Sequence, residues 1–133
     1  MFVDTSAIVA MIASEPDADT FSSKLETTTA SKITGAHVLL EATMRLSSLL
    51  GLSPATADEI VTHLLREAQV DIVPISEDIA HLAVAAFERY GKGRGHPAKL
   101  NFGDCLSYAC AASRGATILF KGNDFAHTDA RQA

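Results

Sequence analysis

Phe2-Val3-Asp4-Thr5-Ser6, running straight into the apolar stretch Ala7 to Ala13, is the segment whose reading decides the fold. Phe2 and Val3 read as a strand with almost no lead-in, so the chain begins inside its own sheet. Asp4 falls where that strand would end, and Thr5 and Ser6 offer hydroxyls able to cap a following helix. Ala7 to Ala13 is apolar all round, as expected of a helix buried against a sheet. In open α/β sheets ligand chemistry gathers at the carboxyl ends of strands, near the reversal of strand order. A carboxylate placed there needs partners from elsewhere in the chain.

Further on, Lys32-Ile33-Thr34-Gly35 reads as a second strand, Val70 to Ile75 as a third with Pro74 at its end or at a sheet edge, and Ala116 to Phe120 as a fourth. Helices are expected between them. One starts at Pro16, with Asp17 and Asp19 in its first turn. A second runs from Val38 to Leu50, with Gly51 as its stop. A third is capped by Ser53 and carries its apolar stripe around Ile60 and Leu64. A fourth is capped by Ser76, with Ile79, Leu82, Ala83, Ala86, Phe87 and Tyr90 at helical spacing. A fifth starts at Asn101 and runs to Arg114, with Gly115 as its stop. Strands alternating with helices imply a mainly parallel sheet with right-handed crossovers. The 133 residues form one domain, residues 1–133, long enough to bury a core. The tail beyond Ala126 is expected to fray.

Composition narrows the function. The hydrophobic share of 47% and mean hydropathy of +0.16 suit a sheet covered on both faces. No apolar run reaches the roughly 18 residues of a membrane span, and no basic region or cleavage site of a signal peptide is expected at the start. Cys105 and Cys110 fall about 140° apart around one helix, which disfavours a mutual disulfide or a shared metal; two buried thiols in a reducing cytoplasm are expected. The net charge of −5, from 16 acids and 11 bases, argues against a protein that coats nucleic acid. It leaves room for an enzyme meeting phosphates through metal ions held by its own carboxylates. The segment Gly91-Lys-Gly-Arg-Gly-His-Pro-Ala-Lys99 reads as a mobile basic loop, either plain surface or a phosphate-contacting arm through Lys92, Arg94 and Lys99. It lacks the ending of a Walker loop.

Most acids have ordinary explanations in first helical turns or on solvated faces; four fit these less well. Asp4 and Asp124 follow strands. Glu41 sits among Leu39, Leu40, Ala42 and Met44, where its alternative is an exposed pair with Arg45. Asp104 opens a helix, where it could equally complete a capping box with Asn101. Four carboxylates at one mouth would repel one another unless some protonate or a cation joins them. Oxygen donors without a convincing Cys/His set select a hard ion, Mg²⁺ or Mn²⁺. The chemistry that follows is phosphodiester hydrolysis.

The segment Phe-Val-Asp-Thr-Ser, a helical Glu about forty residues on, Asn101-Phe-Gly-Asp-Cys105 and the closing Leu119-Phe-Lys-Gly-Asn-Asp-Phe125 together resemble a PIN-domain ribonuclease, and more narrowly a VapC-type toxin of a bacterial toxin–antitoxin pair. The resemblance implies a three-layer α/β/α fold and RNA cleavage with Mg²⁺ or Mn²⁺ held by Asp4, Glu41, Asp104 and Asp124. Asn123 is an adjacent candidate for the fourth position, and Ser6 resembles the family's hydroxyl near the metal. It also implies an RNA substrate, a cognate VapB-type antitoxin over the active groove, a homodimer and no membrane. Three rivals remain. A phosphoacceptor receiver domain needs paired acids after the first strand and an Asp after a middle one, and the chain has neither. A haloacid-dehalogenase-type phosphatase needs an Asp where Ser6 stands. An inactive PIN-like binding module would keep the fold, but retention of all four acids weighs against it.

Overall fold

A computed structural model describes all 133 residues. Four strands, β1 (Phe2–Val3), β2 (Lys32–Gly35), β3 (Val70–Val73) and β4 (Ile118–Leu119), form one sheet in the order β3-β2-β1-β4. All pairings are parallel, with Phe2 opposite both Ile33 and Ile118, and Lys32 to Gly35 opposite Val70 to Val73. The chain steps outward from β1 to β3 and then crosses back to the other side of β1. The reversal of strand order therefore lies between β1 and β4, and the crevice beyond their carboxyl ends is the natural ligand site. Asp4 leaves β1 at this point, and Asp124 follows β4.

Six helices flank the sheet in the expected three-layer α/β/α arrangement: α1 (Thr5–Ile12), α2 (Ala18–Thr27), α3 (Ala36–Leu50), α4 (Pro54–Glu67), α5 (Glu77–Tyr90) and α6 (Phe102–Ala112). Caps set several of their starts. Ser53 accepts from Thr56 N–H and Ser76 from Ile79 N–H, while Asn101 and Asp104 form a reciprocal capping box. Gly51 ends α3 in the left-handed conformation at φ 64°, which glycine adopts without the Cβ penalty. Phe2, Val3, Ile8, Val9, Val38, Leu46, Val61, Leu100, Ile118 and Leu119 are sealed in the core between sheet and helices.

Several local expectations are corrected. The cap of α1 is Asp4 itself, whose carboxylate accepts Ser6 N–H, because the strand delivers that side chain directly over the first turn. Helix α2 begins at Ala18, two residues beyond Pro16, since Asp17 is the flanking residue and turns toward Lys121 instead. The buried stripe of α4 is Ala57, Val61 and Leu65, with Ile60 and Leu64 only half-buried beside it. On α5, Ile79, Ala83, Ala86 and Tyr90 are buried, but Leu82 and Phe87 lie open to solvent. Strand β3 stops at Val73, before Pro74, and α6 stops at Ala112.

The basic loop is closed rather than loose. Lys92 N–H donates to Leu100 carbonyl at 2.9 Å, Leu100 N–H to Tyr90 carbonyl at 2.9 Å, and the His96 ring meets Tyr90 edge-on at 5.0 Å. The tail does not fray. Ile118 N–H donates to Arg131 carbonyl at 2.8 Å and Ala133 N–H to Ile118 carbonyl at 2.9 Å, so the last residues cover the free edge of β4.

Candidate active site

Asp4 is 7% exposed and held from both sides. Its Oδ2 accepts Ser6 N–H at 3.0 Å and Ser6 Oγ–H at 2.7 Å. Its Oδ1 accepts the Ser107 hydroxyl of α6 at 2.9 Å. Ser6 Oγ in turn accepts Lys121 N–H at 2.9 Å, which ties the end of β1 to the turn after β4. Ser6 thus stands beside Asp4.

Glu41 comes to the same place from α3. Its Oε2 accepts the Thr5 hydroxyl at 3.2 Å, and no ion pair with Arg45 forms. Burial raises its pKa above the ordinary carboxylate value, and the Asp4 charge adds to the rise; Thr5 and the more distant Arg45 charge oppose it. The side chain fits because residue 103 of α6 is glycine: a Cβ there would lie 2.6 Å from Glu41 Oε2. His37, Leu40, Glu41, Met44, Phe102 and Gly103 line a hollow of about 260 Å³ at this point.

Asp104 forms the capping box that the sequence offered it. Its Oδ2 accepts Asn101 N–H at 2.9 Å, completing the cap. Burial pushes its pKa up to about 6, and the charges of Asp124, Asp4 and Glu41 add to the rise, while the Asn101 N–H opposes it. Four carboxylates from four places in the chain are therefore within electrostatic reach of one another. Asp124 is exposed at the outer lip. Asn123 is exposed too and contributes only its carbonyl, to Ala126 N–H.

The donor set is all oxygen and its members repel, which is the chemistry a hard divalent cation relieves. Asp4 and Glu41 are each oriented by hydroxyls, and the glycine at 103 leaves a cradle against Glu41 that a Cβ would fill. These residues fit such an ion. No three His, Cys, Asp or Glu side chains stand close enough together to grip one.

A family model described as PIN domain matches residues 1–131. The chain belongs to the PIN-domain family. Among its PIN-domain relatives are VapC ribonuclease Mb0625 of Mycobacterium bovis and ribonuclease VapC28 of Mycobacterium tuberculosis, each 41% identical over 133 residues, covering all of this chain and 97% of the relative. The crystal structure of Mycobacterium tuberculosis VapC20, titled a sarcin-ricin loop cleaving toxin, superposes with a TM-score of 0.78 at 19% identity, covering 99% of this chain and 97% of that one. A toxin–antitoxin complex from Klebsiella pneumoniae superposes with a TM-score of 0.69 at 19% identity, covering 96% and 92%. These two likenesses are to the PIN fold.

Lys92, Arg94 and Lys99 project from the closed loop into solvent. Lys92 also borders an apolar groove with Phe87 and Phe102, and Phe102 leads to Gly103 beside Glu41. Sequence reasoning missed Thr5 as a partner of Glu41, together with Ser107, His37 and the role of Gly103. Two of these had a local signal. Ser107 lies three residues past Asp104 on the same helical face, and a glycine inside a first helical turn implies close approach of another group.

Proposed function

We propose that this protein is a metal-dependent endoribonuclease, folded as one domain, that acts as the toxin of a toxin–antitoxin pair. One observation carries the reading: at the reversal of strand order, adjacent Thr5 and Ser6 hold Glu41 and Asp4, and Gly103, next to Asp104, lies directly against Glu41. The 41% identity to proteins named VapC ribonucleases supports RNA as the substrate.

Asp4, Glu41, Asp104 and Asp124 would hold Mg²⁺ or Mn²⁺. When bound, such an ion supplies Lewis-acid chemistry, acidifying a water and neutralising charge on phosphoryl oxygens. The chain's own groups do the positioning. Ser6 holds Oδ2 of Asp4, Thr5 holds Oε2 of Glu41, and Asn101 N–H holds Oδ2 of Asp104. Lys92, Arg94 and Lys99 give the RNA backbone cationic contacts beside an otherwise acidic surface, so their share of binding weakens with salt. A VapB-type antitoxin and a second copy of the chain are the partners, in the cytoplasm; no helix is long and apolar enough to cross a membrane.

The test is cleavage of RNA by the purified protein, freed of antitoxin, with Mg²⁺ or Mn²⁺ and with EDTA. Cleavage that needs the ion, with growth arrest on induction, is expected. Equal cleavage in EDTA would remove the metal from the reaction, and no cleavage with either ion would remove the reaction itself.

A further inference from the structure

Ser107 is 1% exposed in the middle of α6. A serine inside a helix commonly returns its proton to the carbonyl one turn back. This one instead donates to Asp4 Oδ1, 103 residues away in sequence, at 2.9 Å. Its oxygen also lies 3.0 Å from His37 Nε2. A serine hydroxyl has one proton, and here it goes to Asp4, so the contact with His37 runs from Nε2–H to Ser107 Oγ. That requirement selects the tautomer of His37.

The neighbourhood is shaped for the ring. At Gly35, the last residue of β2, a Cβ would lie 2.4 Å from His37 Cε1 and 2.5 Å from Nδ1. His37 Nδ1 is buried with no hydrogen-bond partner, a cost that the Nε2 contact does not itself offset. A glycine and an unsatisfied nitrogen are both accepted to keep the imidazole where it is.

We propose that Ser107 and His37 are positioning residues for Asp4. His37 holds the Ser107 hydroxyl in the rotamer that donates to Oδ1, and Ser107 thereby fixes the carboxylate plane for the divalent ion. The last torsion of an aspartate is broad and nearly two-fold. Ser6 grips only Oδ2, so a second grip on Oδ1 is what stops the rotation. The inference rests on the ribonuclease reading above.

The test uses the full chain with Ser107→Ala, His37→Leu, His37→Gln and the Ser107→Ala/His37→Leu double variant. It reads Mn²⁺ affinity by calorimetry, RNA cleavage and melting temperature. Groups that orient a metal ligand are worth about 10–100-fold in metal affinity. Ser107→Ala and His37→Leu should each lose affinity by about that factor, and the double variant should be no worse than the poorer single, because both act through one bond. Glutamine presents an amide N–H near the place of Nε2–H, so His37→Gln should regain affinity to within about threefold of the unsubstituted protein. Unchanged Mn²⁺ affinity in Ser107→Ala, or His37→Gln as weak as His37→Leu, would overturn the proposal. An unsubstituted protein that neither binds Mn²⁺ nor cleaves RNA would overturn the ribonuclease reading and this inference with it.

Discussion

Gly103 lies directly against Glu41: a Cβ at residue 103 would stand 2.6 Å from Oε2 and 3.4 Å from Cδ of the glutamate. The atom met is the far end of a side chain, which can swing away, so Gly103→Ala displaces the carboxylate rather than the backbone. Alanine in a helix is favoured over glycine by about 0.5–1 kcal/mol. The variant should therefore melt no lower than the unsubstituted protein and yet lose RNA cleavage by about tenfold or more. A lower melting temperature with full activity would contradict the assignment of Glu41 to the site.

Asp4 is held through three hydrogen bonds at the reversal of strand order. Asp4→Asn keeps the shape but removes the charge that an ion would meet. Cleavage should fall at least about a hundredfold, since losing a ligand costs no less than losing its supporting group. Induction of this variant in growing cells should fail to arrest them. Arrest as strong as with the unsubstituted chain would separate toxicity from the carboxylates.

The Asp104 carboxyl, raised from its ordinary 3.8 to about 6 by burial and its acidic neighbours, has a consequence for stability. Between those values the folded protein binds more proton than the unfolded one. Its contribution is thus unpenalised below pH 3.8, and stability is lost as pH climbs toward 6. Asp104→Asn removes the penalty and keeps an oxygen for Asn101 N–H. With EDTA present, the variant should melt about 2–4 °C above the unsubstituted protein at pH 7.5, and the gap should close near pH 4. Melting curves at the two pH values decide it; the reverse order at pH 7.5 would show that Asp104 is not strained by its neighbours.

Asp129 fastens the tail. It accepts the Tyr108 hydroxyl and Arg89 Nη1, the latter at 3.0 Å. The Tyr108 bond is the largest cause holding its pKa below the ordinary carboxylate value, with the Arg89 contact adding. This contribution is present above the usual aspartate range and is lost as pH falls through the lowered value. Asp129→Ala should lower the melting temperature by about 3 °C at pH 7 and leave RNA cleavage unchanged. A loss of cleavage without a loss of stability would bring this end of the molecule into the site.

The order of strands and helices was legible because its signals are local. Ser53, Ser76 and Asn101 cap the helices they precede, Gly51 stops α3, and the apolar β1 segment runs into the apolar α1. Asp4, Glu41 and Asp104 stood out by their places: Asp4 ends a strand, Glu41 interrupts an apolar helical stretch, and Asp104 opens a helix beside Asn101. Asp104 shows the limit of that reasoning, since the capping bond that explains it locally does not separate it from the charges of Asp124, Asp4 and Glu41.

By itself, the sequence determined the alternation of elements and the parallel sheet, because hydrophobic period and capping act between residues a few positions apart. Only the tertiary structure decided that β4 lies beside β1, that the tail covers the edge of β4, and that Ser107 and His37 meet at Asp4. Those contacts join residues up to about a hundred positions apart, and strand order and helix docking, which no short-range pattern encodes, bring them together.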